Sequence, residues 1–216
     1  IVSMALADYF KKKNLNYSLR FIFIPETIGS IAYIYKNLKY LRNKRVFGIN
    51  LTCIGDNRGH SFMFSKFKNT PIDESVLSAY KQLRIMPTEH TFLKRGSDER
   101  QFNSPGIDIP MASIFRTKYA EFSEYHTSLD DFKLVTLKGL RGGYKVSKKV
   151  IEIFQKKNIP KYKLLCEPHL SKRKLYPTLS GNKIHVPSRR YLDFLQYADG
   201  YTCLLYTSDA ADELRS

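Results

Sequence analysis

Residues 18–41 read SLRFIFIPETIGSIAYIYKNLKYL, in which a dense apolar run leads at once into a helical pattern. The run over residues 18–24 predicts a buried strand, because aliphatic and aromatic side chains fill most of its positions. Pro25 ends the strand, since proline cannot donate to a sheet, and helical periodicity then extends to about Leu41. A strand that leads directly into a helix is typical of α/β folds.

The same alternation continues along the chain. The other predicted elements, in chain order, are a helix over 1–10, strands over 46–54 and 60–66, a helix over 73–85, a polar loop over 95–106, a strand within 107–116 and a long helix reaching about residue 157. We expect Asp130 or Asp131 to cap the long helix, and Gly142 and Gly143 to break it. Strands alternating with helices predict an α/β fold with a mostly parallel sheet flanked by helices on both faces.

The character of the sequence changes at Pro160. Residues 1–158 make up the predicted α/β domain, and the prolines that follow indicate an irregular connector over 159–188. Residues 189–201 contain one short amphipathic helix, and residues 202–216 look like translated sequencing-adapter sequence. Because the chain begins with isoleucine and not with methionine, and its last helix stops abruptly, we expect a fragment truncated at both ends.

The charge of the chain is strongly positive. It has 36 Lys and Arg residues against 20 Asp and Glu residues, a formal net charge of +16. Such an excess favours anionic partners such as nucleic acid. The cations are scattered along the sequence, however, with no basic stripe interleaved with aromatic residues, so a solvated lysine-rich surface is the simpler interpretation.

The number and spacing of the cysteines limit the kinds of protein to which this chain can belong. Cys53, Cys166 and Cys203 lie far apart and in no CxxC motif, which argues against a disulfide framework and against a cysteine-based zinc site. A reducing, cytoplasmic location fits this usage. Since no apolar run approaches the length of a membrane span, we expect no membrane partner.

Polar side chains form three clusters near predicted strand ends, where α/β folds gather functional groups. The clusters are Glu26, then Asp98, Glu99 and Arg100, then His126 with Glu124 and Asp130. Carboxylates and an imidazole from separate loops are what a hydrolytic zinc site needs for its ligands and its general base. Each cluster also has a structural interpretation, as a helix N-terminal residue, a surface ion pair and a loop histidine. Spacing alone leaves both interpretations open.

Three segments carry a resemblance to a known family: FIFIPETIGS at 21–30, RGSDERQF at 95–102 and EYHTSLD at 124–130. Their order resembles that of zinc aminopeptidases in the di-zinc, glutaminyl-cyclase-like superfamily. More closely, residues 1–201 resemble a bacterial subfamily of aminopeptidase-like proteins, described mainly as a domain of unknown function, which often occurs beside polysaccharide-biosynthesis genes. These proteins end in a winged helix, and residues 191–200 look like its first helix.

The resemblance implies roles for single residues. His126 matches the last metal-ligand histidine of the superfamily. Glu26 matches a position where the superfamily has two adjacent glutamates, one a general base and one a metal ligand, so either role is implied for it. Thr52 or Cys53 stands where a further metal-binding aspartate is expected, which implies one zinc ion and not two. The supporting residues would be Asp98, Glu99, Arg100, Tyr125, Asp130 and Asp56.

The superfamily's first histidine and its bridging aspartate precede the N-terminal helix. We therefore expect an incomplete zinc site in this chain, weak zinc binding and no peptidase activity of the 216-residue chain itself. In the complete parent protein, a metal-activated water would attack a peptide or amide bond of a small substrate, with Glu26 as base.

Two alternatives to the hydrolase stay open. One is a regulatory protein that binds nucleic acid through the winged helix, whose recognition helix would lie beyond the end of this chain. The other is a non-catalytic accessory protein of a carbohydrate pathway. The sequence does not give the substrate or the oligomeric state.

Overall fold

The computed structural model describes residues 1–44 and 46–159. The regular elements in these residues are α1 (Val2–Phe10), α2 (Ile28–Asn43), β1 (Gly48–Leu51), β2 (Ser61–Met63), α3 (Pro71–Leu83), β3 (Thr88–His90), α4 (Glu99–Phe102), β4 (Met111–Phe115) and α5 (Leu137–Phe154). Apart from residue 159, the predicted connector, the winged-helix segment and the adapter-like tail lie outside the described residues.

The four strands form one sheet in the order β1-β4-β2-β3. β1 runs parallel to β4, with Gly48 opposite Met111, and β2 runs parallel to β3. Only the central β2–β4 pair is antiparallel, with Phe62 opposite Ile114. The predicted α/β fold with a mostly parallel sheet is therefore confirmed.

Separate hydrophobic clusters tie the helices to the sheet. α3 and α5 bury Val76, Val146 and Val150 against Phe62 and Ile114 of the central strands, and all five are fully buried. The side chains of α2 and α4 pack with Met111 at the start of β4 in a second cluster. α1 lies along α5 through a third cluster around Leu6.

Hydrogen bonds also join the segment after α1 to the end of α5. The Tyr17 N–H donates to Oε1 of Gln155 at 2.9 Å, and Nε2 of Gln155 donates back to the Tyr17 carbonyl at 2.9 Å. Gln155 directly follows α5 and is buried, so the reciprocal pair fixes the segment after α1 to the end of the last helix.

The long helix α5 differs from its prediction in two ways. Its N-cap is Thr136, whose hydroxyl accepts from the Gly139 N–H at 3.0 Å, and not Asp130 or Asp131, which lie in the preceding loop. The helix also passes through Gly142 without a break. A Cβ on Gly139 would lie 1.8 Å from the carbonyl oxygen of Gly55, so glycine here permits close packing on a turn.

The strand predicted over residues 18–24 is wrong. These residues have no regular secondary structure and pair with no strand among the described residues. Leu19 and Phe21 pack towards the α1–α5 cluster, while Phe23 is 65% exposed. An apolar run becomes a strand only where a neighbour completes its backbone hydrogen bonds, and composition cannot supply that neighbour.

Two short elements were absent from the prediction. β3 spans three residues, and α4 lies within the segment predicted as a polar loop over 95–106. Both are too short for a periodic pattern to be recognised. In the described part of the chain, no helix has the length and apolar character that crossing a membrane requires.

Candidate functional site

The parallel strands β1 and β4 end side by side and define the location of the candidate site. The backbone N–H of Arg116, just after β4, donates to the carbonyl of Cys53, just after β1, at 2.9 Å. Cys53 adopts a left-handed backbone with φ of 46°. Functional groups in α/β proteins gather at such carboxyl ends, where the chain leaves the sheet.

Glu99 anchors the segment that follows the 3-10 turn at Phe92–Lys94. Its carboxylate is fully buried and accepts five hydrogen bonds. The donors are Gly96 N (2.9 Å), Ser97 N (2.9 Å), Asn50 Nδ2 (2.9 Å), Ser113 Oγ (3.3 Å) and Tyr119 Oη (3.1 Å). Because two donors lie on β1 and β4, the carboxylate fixes residues 96–98 to the sheet.

The fixed segment in turn holds Glu26. The Ser97 hydroxyl donates to Oε1 of Glu26 at 2.5 Å, while the Glu26 side chain as a whole stays exposed. Oδ1 of Asp98 accepts from the Thr27 N–H at 2.7 Å and from the Ser30 hydroxyl at 2.5 Å. Thr27 has φ of 62°, so the turn that presents Glu26 is strained and is stabilised by Asp98.

Arg100 supports the same turn from outside. Its Nη2 donates to the Thr27 hydroxyl at 3.1 Å on the exposed side. Asp98 and Arg100 of the predicted cluster therefore contact the Glu26 turn directly, although the two segments are about 70 residues apart, as the separation of 71 for the Ser97–Glu26 contact shows.

His126 reaches the site through its neighbour Tyr125. The two rings stack with their centroids 3.9 Å apart and an interplanar angle of 18°. Tyr125 packs on a cluster formed by Met63, Phe115 and Tyr119, whereas His126 is exposed and has φ of 59°. The tyrosine thus positions the histidine at the rim of the sheet end.

Cys53 lies among the acidic groups of the site. Burial raises the pKa of its thiol, and the negative charges of Asp130, Asp56 and Glu26 raise it further. Burial likewise raises the pKa of the Tyr125 hydroxyl, with smaller contributions from Cys53 and Glu26. Glu26, Cys53, Tyr125 and Asp130 are therefore close enough to interact electrostatically, and the thiol stays protonated at neutral pH.

Asp56 joins the two loops that leave β1 and β4. It is buried, and its carboxylate accepts from Arg58 N and from both the backbone N–H and the hydroxyl of Thr117, each at 2.8 Å. These three hydrogen bonds occupy the Asp56 carboxylate and hold the two loops together.

A cavity of about 320 Å³ opens beside Asp56. Its lining includes Arg58, Glu124, Leu129 and Lys133. The Arg58 guanidinium bonds Glu124 at 2.5 Å and lowers the pKa of that partly buried carboxyl to about 2. The ion pair ties the His126 loop to the loop after β1, but it is solvent-screened and adds little stability.

His60 and Arg116 form a second polar contact behind these loops. Nη1 of Arg116 bonds Nε2 of His60, and Nε of Arg116 donates to the Asp56 carbonyl at 2.8 Å. Nδ1 of His60 is buried with no hydrogen-bond partner among the described residues. Burial, followed by the Arg116 charge, lowers the pKa of His60 to about 4, so the ring is neutral at physiological pH.

The residues described do not by themselves fit a zinc centre. Across residues 1–44 and 46–159, no three His, Cys, Asp or Glu side chains are placed to hold a metal ion together. Protein zinc sites use three or four such ligands. Glu26 is bonded to Ser97, and Asp56 is occupied by Thr117, which leaves His126 without a complete ligand set.

Most of the predicted site residues lie around the carboxyl ends of β1 and β4. Glu26 and Glu99 both accept hydrogen bonds from Ser97, Asp98 and Arg100 both bond Thr27, and Tyr125 and Asp130 interact electrostatically with Cys53. Their predicted roles stay predictions. Ser97 is not among the predicted site residues, although it lies within the RGSDERQF segment at 95–102.

Comparison with known proteins agrees with this fold. A family model described as "Domain of unknown function (DUF4910)" matches residues 1–157, and a winged helix-turn-helix model matches residues 157–213. The boundaries predicted for the connector, the winged helix and the tail stay predictions.

Relatives and solved structures give the same picture. A Clostridium acetobutylicum protein, provisionally named a polysaccharide biosynthesis protein with an aminopeptidase-like domain, is 35% identical over 207 residues, which cover 93% of this chain and 46% of that protein. The crystal structure of a C. acetobutylicum protein provisionally named a peptidase matches with a TM-score of 0.69 at 30% identity, over 99% of this chain and 50% of that one.

The zinc aminopeptidase BSAP of Bacillus subtilis has a similar fold, with a TM-score of 0.61 at 19% identity over 73% of this chain and 40% of its own. The chain spans about half the length, or less, of these relatives. The match over residues 1–157 nevertheless shows that the chain belongs to the DUF4910 family, with an aminopeptidase-like α/β fold and a winged helix-turn-helix at its C-terminus.

Proposed function

We propose that this chain is the part of an aminopeptidase-like hydrolase that supplies Glu26 and His126 to the active site of the full-length protein. The observation that carries the proposal is the Ser97–Glu26 hydrogen bond, because it holds an exposed carboxylate beside the ends of β1 and β4. Backbone strain at Thr27, Cys53 and His126 supports it, since left-handed non-glycine residues cluster at functional sites.

The substrate class follows from the relatives. An aminopeptidase-like domain in a protein provisionally named for polysaccharide biosynthesis supports a peptide or amide-containing small molecule as substrate. Glu26 would accept a proton during attack on the amide, a role for which an exposed carboxylate held at one oxygen is suited. Zinc is the proposed cofactor of the full-length protein, but the described residues do not complete its ligand set, so we assign no step to the metal.

The test is hydrolysis of aminoacyl-anilides by a full-length DUF4910 protein, compared with its variant equivalent to Glu26→Gln. We expect the variant to lose at least about a hundredfold in kcat while keeping its fold, because loss of a general base removes roughly two to four orders of magnitude. Unchanged turnover would remove Glu26 from the mechanism, and no turnover by the wild-type protein on any amide would contradict the hydrolase assignment.

A second candidate is favoured by the match of residues 157–213 to a winged helix-turn-helix model. Winged helices commonly bind DNA, so the full-length protein could be a regulator that senses a small molecule in the aminopeptidase-like domain. Sequence-specific retention of duplex DNA that changes with an amide ligand would favour this candidate.

A further inference from the structure

The fold gathers lysines that are scattered in the sequence onto one face of α1 and α5. Along α5, cations recur at a spacing of three or four residues, while the opposite face buries Gly139, Gly143, Val146 and Val150. The end of α1 adds further lysines. We call this set the α1–α5 basic face; its members are Lys12, Lys13, Lys138, Arg141, Lys145, Lys148 and Lys149.

Most of these cations lack a carboxylate partner. Within the described part of the chain, Lys148 pairs with Glu152 at 3.8 Å, and the remaining six members of the face form no ion pair. Uncompensated positive charge on one face attracts a polyanion.

Two tyrosines lie within the face. Tyr9 has Nζ of Lys148 at 3.9 Å from its ring centroid on one side and Nζ of Lys13 at 5.1 Å. Tyr9 and Tyr144 line an open groove of about 460 Å³ together with Ala5, Asp8, Lys12 and Lys13, and the Asp8 carboxylate is paired with Lys11. The Tyr9 hydroxyl donates to Glu152 at 3.2 Å, which holds the ring in place. Aromatic rings set among cations are typical of surfaces that contact nucleic acid.

The dimensions also fit a nucleic-acid backbone. From Lys138 to Lys149 the helix rises about 16 Å, over which one strand of duplex DNA carries about five phosphates. The family match at residues 157–213 begins three residues after α5 ends at Phe154, so a winged helix-turn-helix adjoins this helix in sequence. That adjacency favours DNA over an acidic polysaccharide.

We propose that the α1–α5 basic face binds the phosphate backbone of duplex DNA as a contact surface separate from any made by the winged helix-turn-helix. Binding through this face is independent of sequence, because phosphates carry no base identity. It would raise the affinity of the protein for DNA in a salt-dependent manner.

The test uses the full 216-residue chain and a fluorescent duplex of about 20 base pairs with arbitrary sequence, titrated between about 50 and 200 mM NaCl. The variant is Lys145→Gln with Lys149→Gln. Its matched control is Lys36→Gln with Lys39→Gln, which removes the same charge from exposed positions of α2, away from the α1–α5 cluster. We expect the variant to bind more weakly and its plot of log affinity against log salt to be about two units less steep, with the control close to wild type.

Three results would overturn the inference. Equal weakening in both double variants would mean a net-charge effect without a defined face. Wild-type binding that neither variant changes would place DNA binding elsewhere, and the second candidate function would survive. Tighter, variant-sensitive binding of an acidic polysaccharide such as polygalacturonate than of DNA would assign the face to that polymer. None of these outcomes bears on the hydrolase, which the anilide assay tests separately.

Discussion

Ser97 and Glu26 are joined by a 2.5 Å hydrogen bond across 71 positions of sequence. The bond links two segments with different supports, because Glu99 fixes the backbone of Ser97 to the sheet and Asp98 fixes the turn after Glu26. The orientation of the exposed Glu26 carboxylate thus depends on the buried Glu99 carboxylate, although the two do not contact each other.

Replacement of Ser97 by alanine should therefore release Glu26 without unfolding the protein. In a full-length DUF4910 protein we expect kcat/KM to fall by roughly ten- to a hundredfold, since a hydrogen bond to a charged group contributes about 1.5–3 kcal/mol. Anilide hydrolysis measures this. Ser78→Ala on α3 is the control, and an equal loss in that variant would contradict a specific role for Ser97.

Removal of the buried carboxylate should affect stability more than any other change at the site. Glu99→Ala removes the acceptor of five hydrogen bonds, and we expect a loss of about 3 kcal/mol in the free energy of unfolding. Urea denaturation followed by circular dichroism gives the value. Glu89→Ala, at an exposed position of β3, should change the free energy by less than about 0.5 kcal/mol.

Because α5 packs closely on the turn at Gly55, we expect that the protein cannot accommodate one added methyl group at Gly139. Gly139→Ala places a Cβ in collision with the Gly55 carbonyl, so we expect the protein to lose about 3 kcal/mol or to fail to fold. Gly59→Ala is the matched control because no atom lies within 4 Å of its added Cβ. If both variants unfold at the same urea concentration, the packing described here is incorrect.

Because the pKa of His60 is lowered in the folded protein, we expect the protein to lose stability in mild acid. Its folded-state pKa of about 4 lies below the unfolded value of 6.5, so its contribution is complete above about pH 6.5 and is lost as the pH falls towards 4. Between about pH 7 and pH 5 we expect a loss of about 1 kcal/mol from this residue, after allowance for solvent screening at the half-buried ring. Urea unfolding of His60→Asn at both pH values should show a smaller difference than wild type. An unchanged difference would contradict this origin.

Zinc content tests the incomplete ligand set directly. After dialysis against buffer without chelator, the 216-residue chain should retain well under one zinc per molecule, because its described residues do not provide three ligands. Elemental analysis by mass spectrometry measures the ratio. A stoichiometric ion that His126→Gln removes would overturn this prediction and would assign the metal to this chain alone.

The sequence predicted the elements with strong periodicity and missed those that depend on neighbours. α3 and α5 carry regular apolar spacing, and both were located to within a few residues except at the N-terminus of α5. The cap at Thr136 could not be chosen over Asp130, because both residue types cap helices and only the turn at Gly55 fixes where α5 begins.

In the candidate site, too, some residues could be predicted from the sequence and others depend on partners that only folding brings near. Resemblance of short segments selected Glu26, Asp98 and His126, and the structure places these segments near the ends of β1 and β4. The role of Ser97 was not predictable, since a serine in a polar loop has no periodic or chemical signal until its partner is known. The basic face was missed for a related reason: residues 12–13 and 138–149 meet only after folding.

The packing of α1 on α5 has a consequence for synthesis of the protein. Val2, Leu6 and Phe10 leave the ribosome well before α5, which covers them and which, with Gln155, emerges about 140 residues later, as the separation of 138 between Tyr17 and Gln155 indicates. Until then this apolar stripe lacks the part of its packing that α5 provides, and at about 5–20 residues per second the delay lasts roughly 7–30 s. The packing around α1 is thus complete only after α5 has been synthesised.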